Sequence, residues 1–420
     1  MDKYDYRDVN GRVPFPPEEY SARLKKIRTI MADRGIDLLY VTSPENLNYI
    51  SGWNGAWLKI TSSQSWNDAK NMGIAIHVDS EEFILFDIGD EEGIVLNKTI
   101  CTKPRIKSEM PGDPIMHGKQ YDGPRVGETL MDVIVRDLKN EGWLKDKKVV
   151  AIEMGSAKPN RLVSEAFQHK LENEGCKVID GTDIVAIARK IKSPLELEYI
   201  RKASSIADEA FYAVKNYLKE GITELELVGE YTNAMCKAGG ENMGIVNLCT
   251  FGEERFWWPH APASRRKLAV NDPIIIALAG VYNRYHAVQG RTFCFGEPSK
   301  EMLDNDRNSM KILNKAQDIL KPNMLVKDFY HQMKQFFVDE GMWGDQYWIG
   351  GYEIGIAFPP DWVGEFTYDL FADEDEKLRF EPGMAIDFET GFGAIETIIV
   401  TDKKVEMLGK APREMQIVRP

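Results

Sequence analysis

The sequence lacks the features that mark several large classes of protein. No uninterrupted apolar run approaches the roughly 18 residues that span a bilayer. The polar residues 1–5 lack the apolar segment of a signal peptide. We therefore expect a cytoplasmic protein that does not associate with a membrane. A formal charge of −13 and a pI near 5.2 leave no basic stripe for a phosphate backbone, which argues against nucleic acid as a partner.

Cysteine is scarce, and its pattern indicates no metal or disulfide framework. The five cysteines are an odd number, widely spaced and without a C-x-x-C pair, so we expect buried thiols. The acidic run at 373–376 lacks the ligand spacing and central glycine of an EF-hand and is typical of a solvated loop. These patterns predict neither a metal nor another cofactor.

The first 190 residues alternate helix and strand patterns. A helix with Leu24, Ile27 and Met31 on its apolar face ends near Gly35, and an apolar strand at 37–42 follows. Further strands are predicted at 73–77, 83–86 and 149–152, and a helix at about 160–174. This alternation predicts an α/β domain at 1–190.

A second domain is predicted at 191–420. Ser193 and Pro194 are typical of a helix N-cap and first turn. Helices are predicted from about 194, 223, 299 and 326, and strands at 274–279, 291–295, 384–388 and 395–400. Helices grouped over an antiparallel sheet define an α+β arrangement.

The most informative motif spans residues 277–293. Its sequence, ALAGVYNRYHAVQGRTF, resembles the D-x-G-A-x-Y-x-G-Y-x-S-D-x-T-R-T-F strand pair of the pita-bread aminopeptidase and prolidase family. In that family two aspartates, a histidine and two glutamates hold a pair of divalent cations. The aspartate positions fall here on Ala277 and Val288, and the histidine position falls on Tyr352. Only Glu389 and Glu396 keep the ligand type, so we expect no metal site.

The resemblance also implies the architecture. It predicts a creatinase-type α/β domain at 1–190 followed by a pita-bread catalytic domain at 191–420. It further implies a homodimer in which the first domain of one subunit borders the active site of the other.

The metal-independent branch of this family offers closer patterns. His260, in FWWPHAP, matches the P-H position of creatinases, while GVYNRYH at 280–286 and GYEIGIAFPPDW at 351–362 are similar to segments of ectoine hydrolases. The resemblance implies that His260 activates water against an amidine carbon while Glu389 and Glu396 hold the N–H groups. Ectoine ring opening is the reaction we expect. Because Gly290 stands where creatinases carry an acid, a related small zwitterion is an alternative substrate.

Residues near these motifs are predicted to bind the substrate. Tyr352 is expected to orient the ring, and aromatic faces add cation–π contacts of about 0.5–2 kcal/mol. Lys59, in a polar and aromatic stretch of the first domain, is expected to meet a substrate carboxylate. The full predicted binding set is Tyr352, Trp258, Tyr285, His286, Trp362, Trp57 and Lys59.

Structural roles and other functions compete with these interpretations. His260 would otherwise be a buried histidine satisfied by backbone, and His286 would point away from the site. The two glutamates would form salt bridges with Arg284 or Arg291. The competing functions are a creatinase-like amidinohydrolase, a lyase acting on a small onium acid such as dimethylsulfoniopropionate, and a non-enzymatic binding protein on the pita-bread fold. The metal content of the purified protein would distinguish the lyase from the hydrolase, because the lyase relatives use a metal.

Overall fold

The structure is a computed structural model that describes residues 13–55, 71–87, 99–106, 129–145, 147–245, 248–253, 261–344, 350–368 and 377–420. The chain divides into two compact units, Met1–Arg189 and Lys190–Pro420.

The first unit is an α/β domain built on a mixed sheet. Its described strands are β1 (Leu38–Val41), β2 (Gly73–His77), β3 (Phe83–Asp87), β4 (Pro104–Ile106), β5 (Val149–Ile152) and β6 (Lys177–Asp180). Its described helices are α1 (Pro17–Asp33), α2 (Pro44–Ser51), α3 (Leu130–Asn140), α4 (Arg161–Asn173) and α5 (Thr182–Lys190). The strand order is β4-β3-β2-β1-β5-β6, with β1 antiparallel to β2 and parallel to β5. Apolar residues of the sheet pack against α3 and α4 to form the core.

The second unit places helices over a largely antiparallel sheet. Its described strands are β7 (Cys249–Phe251), β8 (Asp272–Tyr282), β9 (Tyr285–Phe295), β10 (Gly350–Glu353), β11 (Ala385–Glu389), β12 (Ile395–Val400), β13 (Val405–Met407) and β14 (Gln416–Val418). Its described helices are α6 (Pro194–Tyr217), α7 (Glu224–Lys237), α8 (Lys300–Ile319) and α9 (Val326–Asp339). The strand order is β10-β11-β12-β9-β8-β7, with β13 beside β12 and β14 beside β9. The α+β arrangement is as expected.

Helix α6 begins where the sequence predicts and covers one face of β8 and β9. The Ser193 hydroxyl accepts a hydrogen bond from the Glu196 N–H at 3.2 Å, and the Glu196 carboxylate accepts one from the Ser193 N–H at 2.8 Å. This reciprocal cap satisfies donors at the helix start. Gly280 allows α6 to approach, because a Cβ at this position would lie 1.8 Å from the Ala203 carbonyl oxygen.

Strands β8 and β9 are longer than predicted and are joined by a two-residue turn. Asn283 and Arg284 both adopt positive φ, at 49° and 67°, as a tight hairpin requires. Arginine is an unusual residue for this conformation, so the turn residues alone do not indicate the hairpin, whereas the family resemblance of residues 277–293 implies a strand pair. The Arg284 guanidinium donates to the Ala357 carbonyl at 2.7 Å and 3.0 Å, which holds the turn in place.

None of the five cysteines forms a disulfide; four are buried as expected, whereas Cys236 is exposed. Over the described ranges, no helix combines the length and apolar character needed to cross a bilayer.

Candidate active site

The candidate site lies on one face of the second sheet. Side chains alternate between faces along a strand, and directly opposite residues of antiparallel neighbours share a face. Tyr352 of β10 is opposite Asp387 of β11. Glu389, two residues further along β11, is opposite Ile395 of β12. These four side chains therefore share one face, which we call the site face.

The site face also carries four of the five positions at which the family resemblance implies metal ligands, those of Ala277, Val288, Tyr352 and Glu389. Gly290 is opposite both Ile395 and Ala277, which places Ala277 and, by alternation, Val288 on this face. Of these positions only Glu389 supplies a carboxylate. In the part of the chain that the structure describes, no three or more His, Cys, Asp or Glu side chains form a group able to hold a metal ion. The described residues do not fit the family's metal pair.

Glu396 does not lie on the site face. It is opposite Phe388 on one side and Gln289 on the other, so its side chain projects toward the helices. The Phe388 ring packs 6.1 Å from that of Phe329 on α9, and the Gln289 amide donates to Asp208 on α6 at 3.1 Å.

The Glu396 carboxylate is fully buried in a salt-bridge network. It accepts hydrogen bonds from Arg291 and Arg413, each at 2.9 Å, and from the Gly409 N–H at 2.8 Å. The structure thus separates Glu396 from Glu389, and the alternative salt bridge with Arg291 describes its contacts. These contacts are structural, and the catalytic role expected for Glu396 stays a prediction.

Asp387 is an acid on the site face that the sequence analysis did not single out. It is fully buried, and neither carboxyl oxygen meets the geometry of a hydrogen bond with any residue that the structure describes. Burial and then the charge of Glu389 raise the pKa of Asp387 well above its usual range, although the nearby Tyr352 hydroxyl acts in the opposite direction. The available sequence signal was the i, i+2 spacing of two acids in an apolar strand, which puts both on one face.

Tyr352 and Trp362 form a fixed pair beside these acids. The Trp362 indole N–H donates to the Tyr352 hydroxyl at 2.9 Å. Trp362 is buried, so it supports Tyr352 and does not offer an open face to a substrate. Burial and the charges of Asp387 and Glu389 raise the pKa of Tyr352 well above its ordinary value. The phenol therefore keeps its proton and stays a hydrogen-bond donor.

Tyr285 and His286 are buried and held by the protein itself. The Tyr285 hydroxyl donates to Glu196 on α6 at 2.9 Å. The His286 Nε2 accepts from the Gly244 N–H at 3.0 Å, and Nδ1 lies 2.9 Å from the Arg284 carbonyl, which makes Nδ1 the protonated nitrogen. The geometry thus assigns structural contacts to both residues.

The burial of His286 predicts a pH-dependent stability. Burial, followed by the charge of Arg284, lowers its pKa from 6.5 to about 3. Between these values the unfolded chain binds more protons, so the fold loses stability as the pH falls from 6.5 toward 3. We expect urea unfolding of His286→Asn, which does not titrate, to show a pH slope smaller by up to about 1.4 kcal/mol per unit. Equal pH slopes in wild type and His286→Asn would contradict this account. The control is His169→Asn, the same change at an exposed histidine.

Four predicted site residues lie outside the described residues: His260, Trp258, Trp57 and Lys59. Their roles stay predictions.

Comparison with known proteins agrees with this architecture. The model of metallopeptidase family M24 matches residues 198–410, and that of the creatinase/prolidase N-terminal domain matches residues 23–191. The chain therefore belongs to metallopeptidase family M24, with a creatinase-type first domain and a pita-bread second domain. The family and fold expected from the sequence are confirmed.

Individual relatives cover almost the whole chain. It is 27% identical to ectoine hydrolase of Halomonas elongata over 435 residues, which span 97% of this chain and 99% of the relative. It is 25% identical to Xaa-Pro dipeptidase of Pyrococcus furiosus over 400 residues, spanning 94% and 99% respectively. Among solved structures, prolidase from Thermococcus sibiricus superposes with a TM-score of 0.74 at 16% identity, covering 95% of this chain and 99% of that one.

Proposed function

We propose that this protein is a hydrolase that opens a C–N bond in a small amidine- or guanidine-type zwitterion without a resident metal ion. The acid pair of Asp387 and Glu389, beside Tyr352, is the observation that carries this proposal. It lies on the face where Ala277 and Val288 replace acidic metal ligands. Two neighbouring acids favour a cationic substrate, because a positive charge stabilises the ionised form of both, and a divalent metal in the same place would repel such a substrate.

Ectoine is the substrate we propose first. It combines a cyclic amidinium with a carboxylate, and the similarity to ectoine hydrolase over 97% of this chain supports the choice. Creatine, a guanidine-type zwitterion, is the alternative that the P-H motif at His260 favours.

In the proposed reaction His260 takes a proton from water as the water oxygen attacks the amidine carbon. The histidine then returns that proton to the departing nitrogen as the C–N bond breaks. Glu389 holds the substrate N–H groups, and Tyr352 donates its O–H to orient the ring. The role of His260 rests on its motif, whereas those of Glu389 and Tyr352 are supported by their position on the site face.

Proton NMR of ectoine and creatine, each incubated with the purified protein in excess chelator, tests the proposal. We expect ectoine to disappear and an N-acetyl-diaminobutyrate to form at a rate that chelator does not change. Loss of creatine instead would identify a creatinase-like amidinohydrolase. Turnover that depends on added divalent metal would contradict the metal-independent mechanism, and a parallel incubation with dimethylsulfoniopropionate tests the lyase alternative.

A binding protein without catalytic activity is the second candidate. It is favoured by one observation: among the described residues of β9, the histidine near the site, His286, has both ring nitrogens engaged by backbone. Of the two histidines in the predicted site, this leaves His260 as the proposed base. Binding of ectoine or creatine without any chemical change would support this candidate.

The proposal includes a cytoplasmic homodimer. In it Trp57 and Lys59 of one subunit complete the site of the other, as the family resemblance implies. Light scattering at micromolar concentration tests the dimer; a monomeric mass together with full activity would contradict it.

A further inference from the structure

Asp387 differs from other buried acids of this protein. Glu224 is fully buried and accepts hydrogen bonds from the Phe251 N–H at 2.7 Å and from the Ser264 N–H and hydroxyl, each at 2.6 Å. Glu396 has two arginines and a backbone N–H. Both oxygens of Asp387, in contrast, are buried without a hydrogen-bond partner in the described residues. A buried polar group in this state costs free energy unless a ligand satisfies it.

The surroundings of Asp387 supply two acids and the Tyr352 hydroxyl, which favours the charged form of Asp387 without meeting the geometry of a hydrogen bond. The ionisable groups that act on it are Glu389, Tyr352 and Glu396, and none of these is a cation. Glu396 already has its own positive partners, Arg291 and Arg413. Burial and the neighbouring acids keep the proton on Asp387 in the free protein, so the ligand that matches it is a cation that displaces this proton and pairs with the carboxylate.

The geometry of the site face gives the shape of that ligand. Asp387 and Glu389 project on one side of β11 with their Cα atoms about 7 Å apart. Glu389 is partly exposed, so a ligand that reaches Asp387 also meets Glu389. Opposite Asp387, the Tyr352 ring is fixed by the indole N–H of Trp362. A flat cation with N–H donors on two edges can donate to both acids and stack on an aromatic ring. A compact ammonium lacks this planar shape, so the flat group fits the site face better.

We propose that Asp387 is a specificity-determining residue that, together with Glu389 and Tyr352, binds a planar delocalised cation, the amidinium or guanidinium group of a small molecule. This inference deepens the proposed function, on which it rests for the substrate class. In this proposal Glu389 holds the substrate cation together with Asp387, and not together with Glu396 as the family resemblance implies. The binding step requires no turnover and is tested separately.

The test is isothermal titration calorimetry with acetamidinium and with its neutral analogue acetamide, in excess chelator. We expect the wild-type protein to bind acetamidinium about tenfold or more tightly than acetamide, because only the cation pairs with the acids. Asp387→Asn is expected to weaken acetamidinium binding about tenfold or more while leaving acetamide binding unchanged. Asp318→Asn, the same chemical change at an exposed position on α8, is expected to bind like wild type.

Two results would overturn the inference. One is acetamidinium binding by Asp387→Asn that equals wild type; the other is wild-type binding that chelator abolishes. Circular dichroism and thermal melting first establish that Asp387→Asn is folded. Should it not fold, Glu389→Gln at the partly exposed position is used instead, with the same expected loss and the same overturning result.

The calorimetry also separates this inference from the proposed hydrolysis. Tight acetamidinium binding that depends on Asp387, without turnover of ectoine or creatine, would keep the cation site and refute the hydrolase. Turnover whose KM is unchanged by Asp387→Asn would keep the hydrolase and refute the role of Asp387.

Discussion

Glu396→Gln is expected to destabilise the protein by about 3–5 kcal/mol, because it leaves a buried arginine without its counter-ion. Arg291 is 1% exposed and donates to Glu396 at 2.9 Å, and Arg413 donates to the same oxygen. Glutamine keeps the shape of glutamate but removes the charge that holds both arginines. Urea unfolding, followed by tryptophan fluorescence and far-UV circular dichroism, measures the loss.

The matched control is Glu340→Gln, which removes a half-exposed pair with Lys311 and is expected to change stability by less than about 1 kcal/mol. Adding Arg291→Met to Glu396→Gln is expected to recover part of the loss, since an apolar side chain needs no counter-ion. A Glu396→Gln protein with wild-type stability and no activity would reverse the assignment and return Glu396 to the catalytic role that the sequence predicted.

The case of Glu396 shows what the sequence cannot specify. A motif match preserves residue type, but a strand alternates its faces with a period of two, so an offset of one residue moves a side chain to the other face. Ile395, and not Glu396, shares the site face with Glu389. The strand itself was predicted from its apolar pattern; the direction of the glutamate depended on its pairing with β9 and β11.

Local sequence signals predict elements of the fold, whereas the contacts of the site residues form only on folding. Periodicity and caps predicted α6, because Ser193 and Pro194 act locally. The partners of Tyr285 and His286, in contrast, are Glu196 and the backbone of Gly244, which are distant in sequence and close only after folding. Asp387 is a related case, because it belongs to no matched ligand position and its importance arises from burial and from neighbouring charges, which exist only in the folded chain.

His260→Ala is expected to lower turnover by about 10²–10⁴-fold, the usual contribution of general acid–base catalysis. Because the histidine acts on water and not on the cation, acetamidinium binding is expected to stay at the wild-type level. Steady-state kinetics on the substrate identified by NMR measures the first effect, and calorimetry measures the second. His331→Ala, an exposed histidine on α9 outside the matched motifs, is the matched control.

A structural role for His260 predicts a different set of results. Loss of a packing histidine would lower the melting temperature and weaken binding together with turnover, and added imidazole would restore none of them. Loss of a general base leaves the fold and the cation site intact, and imidazole in solution restores part of the rate by taking the proton in its place. Full activity in His260→Ala would remove the base from the mechanism, and the Asp387 site would then stand as a binding site alone.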